Sequence, residues 1–127
     1  RPVRKILVID DDLQTRLTLR AALERSGYEI VEASDGDEGL CLFRKERVDL
    51  VITDIFMPGK DGLAVTEEIR RDHPKTKIIS ITGSRGDDCA RAKELGAVRT
   101  FVKPYEMQEI LDAVEVETRD QSTRSQH

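Results

Sequence analysis

An α/β fold, a parallel sheet covered by helices on both faces, is predicted by three observations. Short aliphatic runs recur along the chain, helical patterns separate them, and glycine or proline punctuates the joins. Ile6-Leu7-Val8-Ile9 is the clearest run. It is apolar at every position, which suits a strand buried on both faces rather than one with a face in water.

The first strand is closed by Asp10-Asp11-Asp12. A helical pattern follows from Leu13 to Ser26, with Leu13, Leu17 and Ala21 four apart and Gly27 as a C-terminal stop. Tyr28 to Ala33 reads as a second strand, and Asp37 to Arg47 as a helix carrying Leu40 and Phe43 inward. Val48 to Thr53 is the third strand; it delivers Asp54 at its end, and the turn signal Met57-Pro58-Gly59 comes directly after. Leu63 to Asp72 is the third helix, with Pro74 just beyond it, and Lys77 to Thr82 the fourth strand. Asp87 to Leu95 is a shorter, more polar helix ended by Gly96, and Arg99 to Val102 makes the fifth strand. The last helix is predicted to open at Pro104, with Met107, Ile110, Leu111 and Val114 as its apolar stripe. Residues 1–117 form the predicted domain. From Thr118 to His127 no residue is apolar, so 118–127 reads as a polar tail or the start of a linker.

Composition narrows the function. With 127 residues, 38% hydrophobic and 36% charged, the chain fits one domain with a highly charged surface. A net charge of −4 argues against direct binding of nucleic acid by this domain, since phosphate contacts need clustered Lys and Arg. Cys41 and Cys89 belong to no CxxC or Cys/His cluster, so zinc is not expected. No apolar run is long enough to span a bilayer and no signal peptide is visible, so no membrane partner and a cytoplasmic location are expected.

In parallel α/β sheets the site lies outside the carboxyl ends of the strands. Those ends here carry Asp10 and Asp11, then Asp54, then Thr82, then Lys103. Two carboxylates about 4 Å apart repel by roughly 4 kcal/mol at an effective dielectric of 20. Such a cluster must protonate, stay apart or bind a cation. Mg²⁺ is the economical answer, because it commonly takes one or two carboxylates, waters and a phosphate oxygen. A phosphoryl group would also find a hydrogen bond at Thr82 and an ammonium at Lys103. Asp54 is then left as nucleophile, since carboxylates form aspartyl phosphates. Asp12 is expected to cap the helix that starts near Leu13.

With "KILVIDDD", "DLVITDIFMPGKDG", "IISITGS" and "GAVRTFVKPYE" in this order, the chain closely resembles the receiver domain of two-component response regulators of the chemotaxis type. The resemblance implies a flavodoxin-like, doubly wound, five-stranded parallel sheet in order 2-1-3-4-5 with five helices. It also implies roles. Asp54 matches the phosphorylated aspartate, Asp11 the direct Mg²⁺ ligand, and Asp10 the acid acting mainly through water. The backbone carbonyl of Phe56 matches another metal ligand, Thr82 the switch hydroxyl, and Lys103 the ammonium on the phosphoryl group. Pro104 matches a residue often preceded by a cis bond. Phe56 and Ser84 hold positions that tune aspartyl-phosphate lifetime. Implied partners are a sensor histidine kinase or phosphotransfer protein, and an output domain or partner on the face built from residues 87–116, with a homodimer left open. The domain would phosphorylate and dephosphorylate itself, without being a turnover enzyme.

One departure concerns position 100. Receivers commonly place Tyr or Phe three residues before the lysine; here Thr100 stands there and Phe101, expected in the core, follows. Neither His73 nor His127 lies in a pattern expected of a phosphodonor. Two rival readings remain. One is a non-phosphorylated, receiver-like binding module, although such domains usually lose an acid, the threonine or the lysine. The other is a Mg²⁺-dependent phosphatase of the haloacid-dehalogenase type using Asp10 and Asp12, against which Gln14 stands where Thr or Val is expected.

Overall fold

The computed structural model describes residues 3–83 and 87–125, with side chains through residue 119. Its elements in chain order are β1 (Lys5–Ile9), α1 (Leu13–Arg25), β2 (Glu29–Ala33), α2 (Gly36–Lys45), β3 (Leu50–Asp54), α3 (Gly62–Asp72), β4 (Lys77–Thr82), α4 (Asp87–Glu94), β5 (Arg99–Val102) and α5 (Met107–Ser125). All neighbouring strands pair in parallel, in the order β2-β1-β3-β4-β5. This is the predicted doubly wound sheet.

Strand alternation builds two cores from one run. Ile6 and Val8 of β1 pack with Leu19 and Leu23 of α1 and with Ile110 and Val114 of α5. Leu7 and Ile9, pointing the other way, pack with Leu40 and Phe43 of α2 and with Val65 and Ile69 of α3. These four residues of β1 are fully buried, as a central strand covered on both sides requires. Each such aliphatic side chain contributes roughly 1.5–3 kcal/mol by leaving water. Helix α4 is held more lightly. Ala92 is its buried residue, in a small cluster with Ile55 and Ala97.

Aspartates set the helix starts. Asp12, Asp35 and Asp61 each accept a hydrogen bond from the backbone N–H three residues on, at the heads of α1, α2 and α3. These caps aim the loops that follow β1, β2 and β3 at one edge of the sheet.

Three expectations are corrected. Leu13 and Leu17 do not face the core; they are 56% and 46% exposed, and the inward face of α1 is Leu19 and Leu23. Arg16 and Arg20 lie on the side of the helix toward β2, where both pair with Glu32. The last helix does not open at Pro104. Lys103–Pro104 is a cis peptide in the preceding loop, and α5 starts after Glu106, whose N–H donates to the Glu109 carboxylate in a box-like cap. Nor does the chain become a solvated tail at Thr118. Helix α5 runs on to Ser125, and Thr118 is buried with its hydroxyl donating to the Val114 carbonyl at 2.8 Å. Glu117, largely buried, pairs with Arg99 at 3.1 Å and Lys77 at 3.7 Å.

Gly62 fits where no other residue does. It opens α3 against the end of β3, and a Cβ built there lies 2.0 Å from the Asp54 carbonyl oxygen. Backbone rather than a flexible side chain is in the way, so relief requires moving a strand. Gly62→Ala is therefore expected to cost about 1–3 kcal/mol, measured as a lower midpoint of urea unfolding with an unchanged slope.

Candidate functional site

The sheet order reverses between β1 and β3, which leaves a crevice at their carboxyl ends. Asp10 and Asp11 leave β1 there and Asp54 ends β3. Asp10 is 2% exposed and Asp54 7%, whereas Asp11 is exposed. One carboxylate oxygen from each of the three lies within 4.8 Å of the others. Lys103 reaches in from beyond β5, its Nζ 3.6 Å from Asp10 Oδ2 and 3.7 Å from Asp54 Oδ2. Thr82 ends β4, fully buried, and its carbonyl accepts the Lys103 N–H at 2.8 Å. The predicted acids, hydroxyl and ammonium thus come from four strand ends on one edge.

Electrostatics follow from this crowding. The Asp54 carboxyl is pushed up to about 6, first by burial and then by the Asp10 charge, with Lys103 opposing both. Burial also raises Asp10, against the Asp12 N–H that donates to its Oδ1 at 2.9 Å and against Lys103. Burial raises Tyr105 too, with added repulsion from Asp10 and Asp54, which marks this phenol as a neighbour of the pocket. Among the described residues one ammonium faces three carboxylates, so these groups together carry surplus negative charge. A hard divalent cation with oxygen preference fits that donor set.

Asp12 is occupied elsewhere. Its carboxylate accepts from the Thr15 N–H at 2.9 Å and the Thr15 hydroxyl at 2.6 Å, and these bonds hold it below the usual carboxylate range. Asp12, which the phosphatase reading needs beside Asp10, is thus engaged as a helix cap and is not one of the three acids that cluster.

The sequence matches the response regulator receiver domain family over residues 6–115. The chain belongs to that family. It is 35% identical over 111 residues to sporulation initiation phosphotransferase F of Bacillus subtilis, covering 87% of this chain and 90% of that protein. It is 37% identical over 123 residues to the transcriptional regulatory protein ResD of the same organism, covering 95% of this chain but only 50% of ResD. Among solved structures it resembles response regulator protein TrrA of Thermotoga maritima in complex with Mg²⁺-BeF. The TM-score is 0.84 at 36% identity, with 91% of this chain and 99% of that one covered. Among the described residues of this receiver, no helix is long and apolar enough to cross a membrane.

The remaining predicted residues fall as follows. Phe56, two residues past Asp54, is 52% exposed on the loop before α3. Thr100 pairs in register with Ser80 of β4, while Phe101, on the opposite face, packs in the α1–α5 core as expected. His73 caps the far end of α3, its ring edge-on to Phe43. Ser84 and His127 lie outside the described residues. Gly62 and Tyr105 were not singled out from sequence. Nothing local marks a glycine as pressed against a carbonyl, and a tyrosine two residues after a lysine carries no signal of its own.

The raised Asp54 value has a definite sign in stability. Between 3.8 and about 6 the folded state holds more protons there than the unfolded chain, so stability falls as pH rises through that window. Asp54→Asn removes this group. In metal-free buffer the variant is expected to gain on the parent by about 2 kcal/mol at pH 8 relative to pH 4, read from paired urea melts.

Proposed function

We propose that this receiver accepts a phosphoryl group on Asp54 from a phosphohistidine of a sensor histidine kinase or phosphotransfer protein, in a Mg²⁺-dependent reaction. The observation that carries the reading is the placement of the Asp54 carboxylate, which lies beside two further acids and within ion-pair distance of Lys103 at the crevice. The Thermotoga relative's complex with Mg²⁺-BeF supports the same chemistry.

In this reading an Asp54 carboxylate oxygen attacks phosphorus, the P–N bond breaks, and the histidine nitrogen leaves with the bonding pair. Asp10, Asp11, Asp54 and the Phe56 carbonyl would hold Mg²⁺, which when bound neutralises charge on the transferring oxygens. Lys103 offers its ammonium to one of those oxygens and Thr82 its hydroxyl to another. Asp54, held by its strand, supplies a fixed nucleophile and so saves orientation cost. Release is hydrolysis at the same site, and no external metabolite is turned over.

The added charge and acceptor oxygens draw Thr82 and Lys103 toward Asp54. Both sit where loops leave for α4 and α5, so the output face is the one built from residues 87–116. Thr100 stands where receivers commonly carry an aromatic, which puts coupling through a ring rotamer at that position in doubt. An output domain or a partner protein would read it; a homodimer is the alternative. A relative of which the chain spans half, such as ResD, carries further sequence outside the match.

Incubation with acetyl phosphate and Mg²⁺ followed by intact mass is expected to show one phosphoryl adduct. The adduct should be lost in Asp54→Asn and without Mg²⁺. No adduct on the folded parent would favour a binding module instead. Phe56 presents a bulky apolar ring beside the site and nothing to hold an attacking water. Phe56→Asn is accordingly expected to shorten the lifetime of the adduct, followed by release of inorganic phosphate; an unchanged decay would remove Phe56 from that role.

A further inference from the structure

Arg16 lies outside the acidic cluster, yet it touches the cluster's backbone. Its Nη1 donates to the Asp10 carbonyl at 2.7 Å, and its Nε donates to Glu32 Oε1 at 3.0 Å. The Arg16 side chain is 14% exposed and that of Glu32 18%. Arg20 braces the other Glu32 oxygen at 2.5 Å from the more open side. One planar fork therefore spans from the neighbouring strand β2 to Asp10, the first residue of the Asp10-Asp11-Asp12 turn.

We infer that the Glu32–Arg16 pair is a positioning clamp for the cation site, acting through the Asp10–Asp11 peptide. The peptide unit is planar, so an anchored Asp10 carbonyl fixes the plane in which the Asp11 N–H and Cα lie. It thereby sets the direction in which Asp11, the exposed acid of the cluster, leaves the strand. The Asp10 side chain is fixed separately by the Asp12 N–H and Lys103. The turn beyond is fixed by the Asp12 cap. Without Arg16 the Asp10–Asp11 plane loses this side-chain restraint, and three repelling carboxylates favour splaying apart. The clamp acts by geometry rather than by charge, because the positive charge of Arg16 is matched by Glu32 at close range. Groups that orient metal ligands in this way commonly govern affinity by 10- to 100-fold.

This inference rests on the Mg²⁺ reading of the site, and the test separates the two. Mg²⁺ is titrated calorimetrically into the full chain and its variants, with circular dichroism and thermal melts recorded alongside. Arg16→Met is expected to weaken Mg²⁺ binding about tenfold while the fold persists. Arg20→Met, which removes the other Glu32 partner but no contact with Asp10, is expected to lower the melting temperature and leave the Mg²⁺ Kd unchanged. Arg16→Lys keeps the charge without the fork and is expected to restore stability more fully than affinity. Equal Kd values for the parent and a folded Arg16→Met would overturn the clamp, as would full recovery of affinity with Lys. If Arg16→Met does not fold, Glu32→Gln, which loosens the same fork from β2, takes its place with the same expected weakening; an unchanged Kd there would likewise overturn it. Absence of Mg²⁺ binding by the parent would overturn the cation site itself and the clamp with it.

Discussion

Repulsion among carboxylates at one edge of the sheet is the constraint on which the rest of this structure depends. Asp10 and Asp54 are almost fully buried and close to each other and to Asp11. Left to themselves they would protonate or move apart. Neither relief is freely open. β1 and β3 are central strands covered on both sides, and among the described residues Lys103 supplies the one compensating charge at ion-pair distance, from the loop beyond β5. Stability held in the two aliphatic cores is thus spent on keeping acids together at the crevice.

The supporting details answer that constraint. Caps at Asp12 and Asp61 fix the turns that follow β1 and β3. The Thr82 carbonyl ties β4 to Lys103, and Arg16 ties β2 to the Asp10 carbonyl. Each contact is local and modest, at about 1 kcal/mol net for a typical hydrogen bond. Together they deny the acids the rotations by which they would separate.

Much of this was legible in the sequence, for a physical reason. Parallel strands buried on both faces must be continuously apolar, so Ile6–Ile9 and Leu50–Thr53 stand out, and the acids that end them stand out in turn. The order of the strands came with the resemblance to receivers. What stayed hidden depends on side-chain reach across the fold. The rotation of α1 could not be read, because Leu13 and Leu17 mimic a core stripe while Arg16 and Arg20 take the half-buried face toward Glu32. The length of α5 escaped because Glu117 and Thr118, polar by composition, are buried through an ion pair and a back-bonded hydroxyl. Tyr105 and Gly62 acquire meaning only once distant segments are brought against them.

The contact between Gly62 and the Asp54 carbonyl has a mechanical consequence. With the backbone of Gly62 pressed against the Asp54 carbonyl, β3 is braced from behind against any group joined to its terminal side chain. Interiors packed at crystal-like density transmit such a push rather than absorb it. Under the proposed phosphorylation the new volume would go outward and sideways, toward the lightly anchored α4 and the loop bearing Lys103. The stiffness of one side of the crevice makes the compliance of the other side directional.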